Sequence, residues 1–504
     1  MATACAVGPD FKRPEVPVAP QWRVKDDPRI ATQAAADTSW WKSFNDNTLN
    51  QLIDLAYQQN LSLQGAGLRI VEARARLGVV TGKAFPQLQA VSGSASASGL
   101  PKYMADGLNL DRNFFEFQLG FDAIWEIDFW GKYRRGIESE AASLLATVAD
   151  YYTAIVALTA EVARTYATLR TYEVLTDQAR ANVAIQEEGL RMAESRFRNG
   201  ATSELDVTQA MALLESTRAS IPELDSGIQQ AKNAINTLLG KPGGSYDELL
   251  AGAAGAKVIP KAPEKVAVSV PAEMLRRRPD IRGAELLAAA QCARIGVAKA
   301  ELYPSFSLFG SIGLQANTTS SASNNLLSSD ALVYSVGPRI TWPFFNYGRL
   351  KNGVRVEDAR FQQLLIDYQA TVLTAAQEVE DALTGFLNSQ QSLGFERNSV
   401  QAAQRSQEIA LVQYREGAVD YQRVLDSQRS LLQEQNRMAR AESSVATNLI
   451  AVYKALGGGW EMSQGKPFVP EATQKEMEDR TSWGDLLSEP RGAELEENQS
   501  PAKR

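Results

Sequence analysis

Residues 113–129 read Asn-Phe-Phe-Glu-Phe-Gln-Leu-Gly-Phe-Asp-Ala-Ile-Trp-Glu-Ile-Asp-Phe. Phe115, Phe117, Leu119, Phe121, Ala123, Trp125, Ile127 and Phe129 alternate with Glu116, Gln118, Gly120, Asp122, Glu126 and Asp128; only Ile124 interrupts the polar side. Successive strand residues point to opposite faces, so the spacing predicts a long strand with one aromatic, apolar face and one polar face. Tyr334, Val336, Pro338, Ile340, Trp342 and Phe344 repeat the pattern, with Ser335, Gly337, Arg339 and Thr341 between them. A further strand is expected before each, from Phe85 to about Ser98 and from Tyr303 to about Gln315. Such runs exceed the ~5–6 residues of ordinary strands and cover the ~9–11 that a tilted membrane strand requires.

Working outward, each half carries a long proline-free window, Lys102 to Ile221 and Phe344 to Lys466, rich in Ala, Leu, Gln, Glu and Arg. A helix interior loses roughly 3 kcal/mol on accepting proline, so these windows read as long helices. Val148, Ile155, Val162 and Leu169 carry a seven-residue apolar repeat, as do Leu365, Val372, Val379 and Phe386. This is the coiled-coil period. The two sets are offset by 217 residues, and the offset also aligns Trp130-Gly131 with Tyr347-Gly348 and Phe197-Arg198-Asn199-Gly200-Ala201 with Tyr414-Arg415-Glu416-Gly417-Ala418. The chain is therefore a tandem duplication of one unit: helix, strand, strand, long helix, shorter helix.

The 504 residues carry 52 Lys plus Arg against 59 Asp plus Glu, a formal charge of −7 spread along the chain, which argues against nucleic acid as a partner. With no histidine and two cysteines, Cys5 and Cys292, the chain cannot build Ser-His-Asp or Cys-His catalysis, His-ligated metals or a multi-bridge disulfide framework. Carboxylate and lysine chemistry stay open. Apolar runs such as Leu286 to Ala290 fall short of the ~20 residues of a membrane helix, so no helix is expected to span a bilayer. Two readings of the strands remain. They could form a small soluble sheet packed on the helices, or a membrane sheet; four strands cannot close a barrel in lipid, so the second reading demands several copies.

The segments Cys5-Ala6-Val7-Gly8-Pro9-Asp10-Phe11-Lys12-Arg13-Pro14, Arg277-Arg278-Pro279-Asp280-Ile281-Arg282, Ala298-Lys299-Ala300-Glu301-Leu302-Tyr303-Pro304-Ser305 and Tyr453-Lys454-Ala455-Leu456-Gly457-Gly458-Gly459-Trp460 resemble the outer-membrane factors of Gram-negative tripartite efflux systems, the TolC and OprM type with its NodT-like lipoproteins. The resemblance covers roughly residues 5 to 465. It implies an α+β membrane protein: a homotrimer in which four strands per chain make a 12-stranded outer-membrane β-barrel continuing into a 12-helix coiled-coil α-barrel. It also implies a non-enzymatic, cofactor-free channel for multidrug efflux, joined through a periplasmic adaptor protein to an inner-membrane RND pump. Exit ducts of type I protein secretion or heavy-metal efflux are the neighbouring alternatives, and a soluble coiled-coil structural protein is the distant one.

On this reading residues 1–47 are a lipid-anchored extended segment, 48–84 and 279–302 hold the helices that open each repeat, and 85–129 and 303–346 hold the outer-membrane strand pairs. Long periplasmic hairpins occupy 131–240 and 348–457, an equatorial linker 241–278, and an equatorial segment with a flexible tail 458–504. Cys5, after Ala2-Thr3-Ala4, resembles the end of a lipoprotein signal and is expected to carry a covalent lipid; Cys292, among alanines, reads as a small core residue. The helix-to-helix turns place Arg198, Gly200, Ser203, Arg415, Gly417 and Asp420 at the adaptor-facing tips. There Gly200 and Gly417 read as C-terminal caps, while Ser203 with Asp206, and Asp420, would restart the next helices. The family pattern puts a periplasmic gate at Asp206, Tyr414, Gln422, Asp426 and Arg429, with Asp426 and Arg429 three apart on one helix and repeated around a threefold axis.

Overall fold

The computed structural model describes residues 6–31, 38–108, 111–251, 257–267, 277–318 and 326–487. The main elements run α1 (Asn47–Gln59), α2 (Leu61–Gly82), β1 (Leu88–Gly99), β2 (Asn113–Ile127), α3 (Lys132–Arg198), α4 (Glu204–Leu238), α5 (Pro279–Ala300), β3 (Ser305–Asn317), β4 (Leu332–Thr341), α6 (Arg349–Arg415) and α7 (Tyr421–Ala455). Both ends of α3 and α4 recur 217 positions later as the ends of α6 and α7, so the duplication holds to the residue.

The four long strands form one antiparallel sheet in the order β1-β2-β3-β4. Its apolar face is bare: Phe115, Phe117, Leu119, Phe121 and Ile127 on β2, and Tyr334, Val336 and Ile340 on β4, are all exposed. β2 stops at Ile127, short of Phe129, because the Asp128 carboxylate accepts from the backbone N–H of Tyr133 (3.1 Å) and Arg134 (2.9 Å), turning the chain into α3. β4 stops at Thr341; Trp342, Phe344 and Phe345 lie beyond the ladder, where Pro343 has no N–H to donate. Gly131 (φ +81°) and Gly348 (φ +80°) take the left-handed conformation that starts each long helix.

Helices α1 and α2 pack on α3, which also contacts α4, α5 and α7. The core between them centres on Trp40, stacked on Tyr453 at 5.3 Å, with Ile53, Ile70, Ile155, Leu169, Phe386 and Leu449. Val148, Ile155, Val162 and Leu169 are all buried, so the coiled-coil seam is real. Contrary to the expectation from apolar runs, α3 contains a stretch long and apolar enough to cross a membrane; half of that stretch is buried against the rest of the chain, and interhelical packing accounts for its composition. Inside the same core a polar network is closed: Arg170 Nη1 pairs with Glu173 at 2.7 Å, its Nε donates to Tyr166 Oη, and that hydroxyl donates to Asp46, the N-cap of α1. Burial pushes the Tyr166 phenol up to about 12, so it stays a donor.

The segment after residue 465 corrects the expectation of a flexible tail. Phe468, Val469, Met477 and Leu487 join the core, Glu471–Arg480 is helical, and Arg74 Nη1 donates to the Leu486 carbonyl at 3.3 Å. Four apolar anchors spaced through a charged stretch suffice to dock it; residues 488–504 lie outside the described residues. Arg278, just before Pro279, is a buried hub: it pairs with Asp280 and Glu378 at 2.7 Å and donates to the Ala455 carbonyl.

Candidate functional site

Two places concentrate the sequence-derived residues: the turns α3–α4 and α6–α7, and the strand-to-helix junction at Gly131. In the first turn Gly200 (φ +69°) lets Ala201 N–H reach the Arg196 carbonyl at 2.8 Å; in the second Gly417 (φ +74°) lets Ala418 N–H reach Gln413 at 2.9 Å. Both glycines are helix caps. The helix restarts differ from the expected capping: Ser203 and Asp420 have extended N-cap backbones, yet neither side chain caps, and the Asp206 carboxylate is taken by the Thr202 hydroxyl instead. Arg198, Gly200, Ser203, Arg415, Gly417 and Asp420 are all exposed.

The five gate candidates fall into two groups. Tyr414 is buried, edge-on to Tyr421 at 5.0 Å, in a cluster with Ala193, Ala210, Val424 and Leu425 that joins the two hairpins. Burial pushes the Tyr414 and Tyr421 phenols up, and the nearby Asp206 charge adds to this, so both rings stay neutral. Gln422, Asp426 and Arg429 instead lie exposed on α7: Gln422 Nε2 donates to Asp426 Oδ1 at 2.9 Å, and Arg429 stands 3.9 Å from the same carboxylate. Within one chain the structure thus joins Asp206 to the tyrosines and keeps the Asp426 pair on the open surface.

Arg196 is the residue that sequence reasoning missed. Its guanidinium lies over the Tyr414 ring, 4.7 Å from the centroid, and Nη1 donates to the Tyr414 carbonyl, so hairpin one clasps the end of α6. A Cβ at Gly417 would stand 3.5 Å from the same guanidinium. The partners are 218 residues apart and the offset of 217 pairs Arg196 with Gln413, so no local pattern marks the contact.

At the junction, Val7 N–H donates to the Trp130 carbonyl at 3.0 Å and Arg135 holds Asp10 at 2.6 Å. Gly8 (φ +111°) crosses Gly296 so closely that a Cβ would come within 2.5 Å of its Cα, and Ala6 sits against Gly131. The Gly8-Pro9-Asp10 motif is thereby accounted for as a backbone crossing with an ion pair. Cys5 lies outside the described residues. Cys292 is buried, its Sγ 3.6 Å from the Pro9 carbonyl, in keeping with a small core residue.

The family model for the outer membrane efflux protein matches residues 52–241 and 270–458, one match for each half of the duplication. Nodulation protein T of Rhizobium leguminosarum bv. trifolii is 30% identical over 461 residues, covering 91% of this chain and 96% of that protein. Cation efflux system protein CusC of Escherichia coli O6:H1 (strain CFT073) is 29% identical over 460 residues, covering 91% and 96%. Among solved structures, the outer-membrane channel OprN superposes with a TM-score of 0.81 at 32% identity, covering 91% of this chain and all of that one. An exposed apolar sheet, a duplicated helical hairpin and a family match over both halves agree: the chain belongs to the outer membrane efflux protein family and resides in the outer membrane, with its helices extending into the periplasm.

Proposed function

We propose that three copies form the exit duct of a tripartite RND-type multidrug efflux system, passively conducting drugs and other small toxic compounds from periplasm to exterior. The observation that carries this reading is the open sheet. Its apolar face is exposed, and among the described residues β1 and β4 have no partner strand on their outer edges. Lipid cannot satisfy those backbone groups, so closure has to come from other copies. Three chains supply 12 strands, and their hairpins continue the tube as 12 long helices.

The remaining assignments follow from that assembly. A lipid on Cys5 would enter the inner leaflet beside Ala6, which packs at the foot of the strands. The exposed turns Arg198-Gly200-Ser203 and Arg415-Gly417-Asp420 offer the adaptor two related tips per chain. Asp206, Tyr414, Gln422, Asp426 and Arg429 form the periplasmic gate, Asp426 and Arg429 recurring three times around the axis and holding the resting state shut. The adaptor opens it, and the inner-membrane pump supplies the energy; the duct itself performs no catalysis.

Membrane fractionation with unheated gel electrophoresis tests the assembly: a heat-labile trimer in the outer membrane is expected, and a soluble monomer defeats the proposal. CusC is named for cation efflux, which favours a second reading in which the cargo is a metal ion. With no histidine in the chain, carboxylates would have to guide it. Deleting the gene separates the two: multidrug export predicts sensitivity to organic drugs, metal export predicts sensitivity to heavy-metal cations alone.

A further inference from the structure

We infer that the polar face of the sheet carries a contact site for organic cations with apolar bodies, a reading that rests on the duct proposed above. Directly opposed residues in an antiparallel ladder point to the same face. Leu88 opposes Ile124, Ile124 opposes Phe309, and Phe309 opposes Gly337. Ile124, an apolar interruption among Asp122, Glu126 and the serines of the polar side, is thus the centre of an apolar row crossing the sheet three residues from the end of β2. Phe309 leans over Gly337, where a Cβ would stand 3.6 Å from the ring. Arg339 covers a face of the same ring at 5.0 Å from its centroid.

The rows on either side carry charge. Toward the outer end lies Asp122, aligned with Ser311 and Ser335; toward the helices lies Glu126, aligned with Ser307 and Arg339. Glu126 is engaged by Tyr133 Oη at 3.1 Å and Lys132 at 3.6 Å, whereas Asp122 accepts one long hydrogen bond, from the Ser92 hydroxyl at 3.3 Å. In a closed trimer each copy contributes Leu88, Ile124 and Phe309 to a collar around the lumen, with three Asp122 carboxylates just above it. A hydrated inorganic ion gains nothing from such a collar. An alkyl or aryl ammonium removes apolar surface from water there while its charge meets Asp122.

Block of the ion current through the purified full-length trimer in planar bilayers tests this, with tetrapentylammonium against tetramethylammonium as probes. Tetrapentylammonium is expected to halve the current at a concentration at least tenfold lower. The Ile124→Ser, Phe309→Ser double variant should raise that concentration about fivefold and Asp122→Asn about threefold. Arg339→Gln, which uncovers the ring and removes a repelling charge, should lower it; Gln118→Ala, on the same face four residues further out than Asp122, should leave it unchanged. Equal block by the two probes, or block that ignores all these variants, overturns the inference while leaving the duct intact. A parent chain that neither trimerises nor conducts overturns the duct reading and this inference with it.

Discussion

Helices α3 and α6 are both 67 residues long and occupy equivalent places in the two repeats, yet they live in different surroundings. α3 is packed by α1, α2, α4, α5 and α7, whereas α6 packs chiefly on α5 and α7. Consequently α6 leaves Val356, Ile366, Leu373, Phe395, Ile409 and Val412 exposed. Duplication fixed the length and caps of the helix; what covers it differs. The first repeat is completed within one chain, and the second presents an exposed apolar flank, which the proposed trimer would cover.

The sharpest way to break this comparison is to attack the self-sufficient half. Arg170→Ala strands Glu173, whose side chain is 7% exposed, and is expected to cost about 3–5 kcal/mol in urea unfolding of the detergent-solubilised chain. Arg170→Met with Glu173→Leu should recover most of it; a loss below ~1 kcal/mol for the single variant would show that α3 is no firmer than α6. Leu373→Glu with Phe395→Glu should do the opposite, releasing monomers in light scattering while stability stays within about 0.5 kcal/mol, as for ordinary surface changes. Trimers that survive the pair would mean the flank of α6 faces nothing.

At the tips, Arg196→Ala should loosen the clasp between repeats by about 1.5–3 kcal/mol, the range of a charged hydrogen bond, seen as faster amide exchange around residues 410–425. Arg196→Lys keeps the charge without the planar fork and should recover only part. The exposed Asp426–Arg429 pair contributes ~0–1 kcal/mol to folding, so the Asp426→Ala, Arg429→Ala variant should keep its stability and conduct better in planar bilayers. Conductance equal to the parent's would remove this pair from the gate. The smallest effect concerns Arg29, which ties the N-terminal segment to α6 through the Leu387 carbonyl at 3.0 Å. Its side chain holds the Asp27 carboxyl down to about 2. A depressed carboxyl stabilises above its unfolded value of ~4 and loses that contribution as pH falls toward 2. Asp27→Asn should flatten this acid limb by under ~1 kcal/mol, since the pair is solvent-screened.

The sequence made the repeat, the strand faces and the glycine caps legible because each is a local pattern: period two, period seven, or a glycine after an apolar run. Key contacts of the core and of the candidate site were not, for the opposite reason. Arg170 and Glu173 have the i, i+3 spacing of a surface pair, and only the arrival of α1 and α7 turns them inward. Arg196 meets Tyr414 across the gap between the two hairpins, where the internal symmetry points to a different partner. The docked segment around Phe468 was hidden by its charge, because composition averages out four well-placed anchors.

The N-terminal strap has a consequence for the order of events in folding. Asp10 binds Arg135, but Arg13 binds Glu285, Ile30 pairs with Val266, and Arg23 N–H donates to Glu380. This early stretch of the chain thus finds most of its partners in the second half of the 504 residues. Closing so long a loop costs entropy that grows only slowly with length, as about 1.5 RT ln n, yet it cannot begin until those helices exist. The strap is therefore a late latch: Ala6 reaches Gly131 only after both repeats have folded and met.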